Sequence, residues 1–203
     1  MHNFDDKDKY CDATFENIQL KKQQIDKKQF ENCRFVKCNF SESIFKGCKF
    51  TDCEFINCNL SLLDISNTAF SEVVFDGSKL VGVDWTKAKW PQVKLVSPIK
   101  FYRCQIDHSN FYELNLSSIV FEDCKAQGVD FRAADLSYAS FVSTDLYNSL
   151  FIHTNLSGAD FIDAVNYRID IHLNNLKKAK FSFPEVVALL HSLDIEIEGL
   201  TSP

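Results

Sequence analysis

At 203 residues and 45% hydrophobic content, the chain has the size of one ordinary domain. Its net charge of −6 and pI near 5.4 count against bulk electrostatic binding to nucleic acid or to an anionic membrane. No apolar run approaches the roughly 18 residues of a transmembrane helix, and Met1-His2-Asn3-Phe4-Asp5-Asp6-Lys7 is not a basic-then-apolar signal peptide, so a cytoplasmic protein is expected.

Residues 1–11 are polar and mixed in charge, which predicts a loose N-terminal leader. From there a bulky apolar residue returns every fifth position, through Phe15, Leu20, Ile25, Phe30, Phe35, Phe40, Phe45, Phe50, Phe55, Leu60, Ile65, Phe70, Phe75, Leu80, Trp85, Trp90 and Leu95. The count then slips by a single residue and resumes at Phe101, Ile106, Phe111, Leu116, Phe121, Ala126, Phe131, Leu136, Phe141, Leu146, Phe151, Leu156 and Phe161. Two residues before each lies a smaller column that holds Cys33, Cys38, Ser43, Cys48, Cys53, Cys58, Cys104, Ser109 and Cys124.

Neither regular element carries this period. On a helix five residues advance 500°, so the apolar positions spiral around the cylinder. On a strand five is odd, so successive positions fall on opposite faces. One core therefore requires a turn in every repeat. Gly47, Gly77, Gly82, Gly128 and Gly158, with Asn17, Asn32, Asn57, Asn67 and Asn148, stand two residues after the large position. Gly and Asn tolerate the positive φ that the third residue of a type II turn needs. A solenoid of short extended pieces and tight turns follows, over residues 12–181.

Along the chain, the first coil carries Gln23 and Lys28 at inward positions, as an end coil facing water does. The block 30–80 is uninterrupted. Between Trp85 and Phe101 the rhythm loosens around Pro91 and Pro98, and an insertion must bulge outward to preserve the core, which predicts a bulge or small loop at 91–100. The acids change after it. Residues 1–95 carry 14 Lys plus Arg against 14 Asp plus Glu, and residues 96–203 carry 8 against 14. After Phe161 the fit degrades through Asn166, Ile171 and Leu176 to Phe181. Ser182-Phe183-Pro184-Glu185 signals a helix start, Val186, Leu189, Leu190 and Leu193 form an amphipathic stripe, and Ile195-Glu196-Ile197-Glu198 alternates like a strand. Residues 182–203 are expected to cap the solenoid, alone or with a twin chain.

No catalytic constellation is present. The five His residues are scattered, and there is no G-x-S-x-G, P-loop or G-x-G-x-x-G. The C-x4-C spacing of the cysteines follows the repeat and lacks zinc-type C-x2-C pairs, so they read as reduced core residues. The same repeat generates the N-x-S triplets at Asn39, Asn59, Asn115 and Asn155. The sequence predicts a non-enzyme with no cofactor and no metal.

The segments Ala134-Asp135-Leu136, Ala159-Asp160-Phe161 and Cys38-Asn39-Phe40 resemble the A-(D/N)-L-x-x motif of the pentapeptide-repeat family. That resemblance implies an all-β fold, a right-handed quadrilateral β-helix with twenty residues per coil, here with a C-terminal capping or dimerisation helix. About seven coils at ~4.8 Å each give roughly 35 Å, comparable in length and width with a short B-form duplex. The sharper resemblance is to the Qnr and MfpA type, dimeric DNA mimics acting on type II topoisomerases. Residues 58–62, 85–91, 157–167 and 180–196 are similar to the AlbG albicidin-resistance type.

The resemblance implies a homodimer through the C-terminal end that binds DNA gyrase or topoisomerase IV. It would protect the enzyme from a poison such as albicidin or a quinolone, without touching nucleic acid or membrane. The gyrase-facing candidates are Asp107, Glu113, Glu122, Asp123, Asp130, Asp135, Asp145, Asp160, Asp163, Trp90, Pro91 and Lys94. The dimer candidates are Phe183, Val186, Leu189, Leu190, Leu193, Ile195 and Ile197. Asp130, Asp135, Asp145 and Asp160 stand just before the large column, where the family favours Asp or Asn for structural reasons. Outward apolar residues, among them Tyr102, Tyr112, Val142, Tyr147, Ile152 and Ile162, leave open a structural or adaptor solenoid that binds another partner.

Overall fold

Strand follows strand at intervals of twenty residues, always parallel: Thr14–Glu16 pairs with Arg34–Val36, that with Glu54–Ile56, and Lys9–Cys11 pairs with Gln29–Glu31, then Lys49–Thr51. The molecule, described from a computed structural model at residues 4, 7–90, 99–193 and 195, is a parallel β-solenoid of about eight turns. Four columns of large side chains face inward, one per face. Those of the first face are Phe15, Phe35, Phe55, Phe75, Phe101, Phe121, Phe141, Phe161 and Phe181, stacked with ring centroids 4.6 to 5.3 Å apart. Each such pair contributes about 0.5–1.5 kcal/mol beyond its burial. The continuity of the stack from Phe15 to Phe181 puts the last coil in line with the first.

Where the repeat corners, the residue two after the large position has positive φ, for example Glu42 at 59°, Leu62 at 56° and Tyr138 at 58°. Many corners close as Ser43 does, whose amide bonds the carbonyl of Phe40 at 3.1 Å. The residue before the large position explains its Asp or Asn. Asn39, Asn59, Asp64, Asp130, Asp135, Asp145, Asn155 and Asp160 each accept the amide two residues on, at 2.8 to 3.2 Å. This is an Asx-type turn, and it accounts for the Asn of three N-x-S triplets.

The small inward column does more than fill space. The thiols of Cys38, Cys53 and Cys58 and the hydroxyls of Ser78, Thr144 and Thr154 donate to the large residue's carbonyl 23 positions earlier, on the coil below. Cys104 and Ser109 do the same across 29 positions, because they span the insertion. That difference corrects the slip read from sequence. Phe75 pairs with Phe101, and Asn110 bonds Asp84 26 residues away, so the insertion is six residues. The coil that reaches Trp90 closes on Phe101, and Leu95 lies outside the described residues. The proposed bulge itself falls mainly on residues 91–98, outside the described residues.

Two further differences lie at the ends. The solenoid starts at Lys9, inside the expected leader, because Tyr10 already occupies a column position and stacks on Phe30 at 5.3 Å. Phe4 is buried and sets its ring edge-on against Tyr10, Phe15 and Phe30 at 5.1 to 5.7 Å, plugging that end of the core. At the other end Glu185–Leu193 is a 3-10 helix rather than the expected amphipathic α-helix. Its Ser192 hydroxyl donates back to the Leu189 carbonyl at 2.9 Å, a local bond that competes with the α-helical ladder.

Candidate protein-binding surface

The pairing register assigns every nominated acid to a face. Glu122, Asp123, Asp160 and Asp163 flank the first-face column at Phe121 and Phe161, and Asp107 and Asp145 flank the second at Ile106 and Leu146. Glu113 and Asp130 belong to the third face, and Asp135 to the fourth.

Most of these carboxylates are already engaged. Asp107 is only 6% exposed; it accepts the Gln127 amide at 3.0 Å and the Gln105 side chain at 2.7 Å, with Lys125 at 3.8 Å. Asp130 pairs with Arg132 at 2.7 Å, and Asp160 with Lys180 at 3.0 Å. Glu122 accepts the Ser140 hydroxyl at 2.8 Å, and Asp135 the Asn155 amide at 2.8 Å. Asp145 accepts amides from Gln127 at 2.6 Å and Asn166 at 2.8 Å. Burial works to raise the Asp145 carboxyl, but those two amides, with the Tyr147 backbone amide and the Lys125 charge, together hold its pKa below the ordinary value. The Arg132 hydrogen bond lowers Asp130 in the same direction.

Glu113, Asp123 and Asp163 are different. Each is exposed on a positive-φ corner, with φ of 56°, 53° and 57°. Asp123 and Asp163 occupy the same corner two coils apart, with Ser143 between them. Asp123 and Asp163 are therefore the outward acids of the second half with no side-chain partner among the described residues, while Glu113 shares a side-chain hydrogen bond with Tyr112.

Of the remaining candidates, Trp90 is half-buried and its indole Nε1 donates to the Trp85 carbonyl at 2.9 Å, so it braces the core beside the insertion. Pro91 and Lys94 lie outside the described residues. At the C-terminal end Val186, Leu189, Leu190 and Leu193 are half-buried, whereas Phe183 is 82% exposed and Ile195 54%. Ile197 lies outside the described residues. Tyr102 and Val142 are half-buried, and Tyr112, Tyr147, Ile152 and Ile162 are exposed. The basic pairs of the first coil are neutralised in part, since Lys21 and Lys22 both reach Glu42 at 3.0 and 3.1 Å.

Among the described residues no group of three or more His, Cys, Asp and Glu could hold a metal ion. Burial pushes the Cys48 thiol up to about 11 and Cys53 to about 12, away from nucleophilic thiolate. No helix of the described residues is long and apolar enough to cross a membrane.

Comparison with known proteins completes the picture. A model of pentapeptide repeat regions matches residues 28–111, and a model of eight pentapeptide repeats matches residues 115–151. No curated protein matches the chain. Among solved structures the fold is similar to that of full-length QnrB1, a plasmid-mediated fluoroquinolone resistance protein, at 18% identity and a TM-score of 0.54, over 92% of this chain and 100% of that one. It is also similar to HetL, a pentapeptide repeat protein involved in heterocyst differentiation regulation from the cyanobacterium Nostoc sp. strain PCC 7120, at 16% identity and a TM-score of 0.42, over 84% and 81% of the two chains.

Proposed function

We propose, since this chain belongs to the pentapeptide-repeat proteins, that it is a non-catalytic, DNA-mimicking rod. It binds DNA gyrase or topoisomerase IV and protects that enzyme from a poison such as a quinolone or albicidin. The observation that supports this reading is the end-to-end correspondence of the solenoid with QnrB1, itself a fluoroquinolone resistance protein. Eight turns at ~4.8 Å per strand make a rod of about 38 Å, and two rods joined through their C-terminal ends reach the span of a short duplex. The exposed Phe183 and the half-buried stripe of the 3-10 helix supply the joining face.

On this reading Glu113, Asp123 and Asp163 meet the enzyme's DNA track, and the inserted segment after Trp90 contacts the enzyme. The other acids hold the rod together. The test is a gyrase supercoiling assay run with a poison and increasing amounts of the purified protein. Restored turnover supports protection; absence of rescue together with absence of binding to gyrase subunits ends it.

One observation favours a second reading, an adaptor solenoid for a different partner. Only two of the nominated acids, Asp123 and Asp163, lack a side-chain partner among the described residues, while Tyr112, Tyr147, Ile152 and Ile162 present apolar surface. Pull-down of a partner other than a topoisomerase, with no gyrase rescue, selects that reading.

A further inference from the structure

The amides of each coil find their partners on the next. On the first face the Asp123 amide donates to the Val142 carbonyl and the Ser143 amide to the Ile162 carbonyl, both at 3.0 Å. On the second face the Ala126 amide donates to Asp145 at 2.8 Å and the Leu146 amide to Val165 at 2.9 Å. In all four bonds the acceptor is a carbonyl of the following coil.

At the last coil the same rows of donors end on side chains. The Asp163 amide, next in the first-face row, donates to the Ser182 hydroxyl at 2.8 Å. The Asn166 amide, next in the second, donates to the Glu185 carboxylate at 2.6 Å. On the third face the Phe111 and Phe131 amides reach the carbonyls of Asp130 and Leu150, whereas the Ile171 amide reaches the Ser192 hydroxyl at 3.5 Å. All three acceptors are half-buried, and two of them belong to the 3-10 helix. The tail therefore satisfies these donors without adding a strand. Left bare, such a row of main-chain groups is a template to which another strand can add.

The first coil presents the matching edge. Among the described strands Thr14–Glu16 pairs only with Arg34–Val36, and Gln24–Asp26 only with Ile44–Lys46, so each keeps one side of its ladder open. Phe15 and Leu20 are half-buried there, unlike the buried columns further along. First and last coils share one line of stacked rings, so the first coil of a second copy has the register of a ninth coil. We propose that Ser182, Glu185 and Ser192 terminate the ladder and hold the rod at its own length. Without them, rods add head to tail through the first coil of a second copy. That contact is heterologous and does not close, so it grows into filaments. It differs from the topoisomerase reading, in which two rods join through Phe183 and the stripe of the 3-10 helix.

The test follows the full chain by residue-resolved amide exchange and by sedimentation over a wide range of concentration. In the wild type the Asp163 and Asn166 amides are expected to be protected, and the mass not to grow with concentration. With Ser182→Ala, Glu185→Ala and Ser192→Ala combined, those amides should exchange about ten-fold faster in dilute solution, the effect of losing ~1.4 kcal/mol. The mass should then climb with concentration, with new protection at Asp163, Asn166 and Thr14–Glu16 together. Glu185→Gln, which keeps an acceptor, should match the wild type. Thermal melts verify the solenoid; if the combined variant loses it, Ser182→Ala alone should show the same changes at Asp163 to a smaller extent. Wild-type amides that exchange at free-peptide rates overturn the proposal, as does a folded variant that keeps the wild-type mass. Association that protects the last coil without the first overturns it as well and makes the contact tail to tail. No topoisomerase enters the experiment, so its outcome is independent of the gyrase assay.

Discussion

The ring of Tyr138 lies across Gly158, its neighbour one coil on, so closely that a β-carbon at 158 would stand 2.6 Å from Cδ1. Gly158 also has φ of +71°. Both facts act against any side chain there, but they are separable. Gly158→Ala carries the left-handed backbone cost of about 1–2 kcal/mol and a steric clash besides. At Gly47 the nearest side-chain atom is Lys27 Cγ at 3.8 Å, so Gly47→Ala carries the backbone cost alone. Denaturant titration should find Gly158→Ala the more destabilised, and Tyr138→Ala should recover most of the difference when combined with it.

The thiol ladder predicts both chemistry and pH dependence. Cys11 is exposed and the other seven cysteines are buried, so a thiol reagent should label one cysteine in the folded chain and eight after denaturation. Cys48 and Cys53 keep their protons up to about 11 and 12, whereas an unfolded cysteine loses its proton near ~8.5. The folded state thus holds more protons above that value. Its stabilising effect is complete below ~8.5 and disappears as the pH rises through 11 to 12. The denaturation midpoint should fall across that window, and Cys53→Ser should make the fall shallower.

The carboxylates before the large column are predicted to be structural. Asp145 is held below its ordinary pKa against the effect of burial by Asn166 and Gln127, and it accepts the Tyr147 amide at 3.1 Å. A depressed carboxylate stabilises above the ordinary value of ~3.9 and loses that effect as the pH falls through the folded pKa. Asp145→Ala should destabilise by about 1–3 kcal/mol, while Asp145→Asn, which keeps an acceptor for Tyr147, should cost less. Asp123→Asn and Asp163→Asn should leave the melting temperature unchanged and weaken protection of gyrase, a dissociation of stability from activity that Asp145→Ala cannot produce.

The column of large residues made the fold legible, because a period of five admits few other ways to bury one side of every repeat. The same column hid the rest. Ser, Thr and Cys look interchangeable as small fillers, and only the coil-to-coil alignment shows that Cys58 and Ser78 donate to Phe35 and Phe55. Leu95 satisfies the period in sequence, yet the bond from Asn110 to Asp84 joins residues 26 apart and sets a coil six residues longer than the rest. The acids were visible, but not which were committed. Asp107 and Asp123 read alike until the first is found buried under Gln105, Gln127 and Lys125 and the second on an open corner.

The six-residue insertion supplies the last prediction. Phe75 stacks on Phe101 at 5.2 Å, within the range of its column, and Trp85 stacks on Phe111 at 5.7 Å, so the core stays continuous across the insertion. Trp90 remains anchored by its indole bond to Trp85. Removing six of residues 91–98 restores the ordinary twenty-residue spacing between coils, and the entropy of closing a connection depends only weakly on its length. The deletion should therefore keep the solenoid, with stability changed by no more than about 1 kcal/mol. If the segment contributes to the partner surface, as proposed, rescue in the supercoiling assay should drop while the melt stays in place. A collapsed melt would show that the insertion belongs to the core, and unchanged rescue would confine function to the coils.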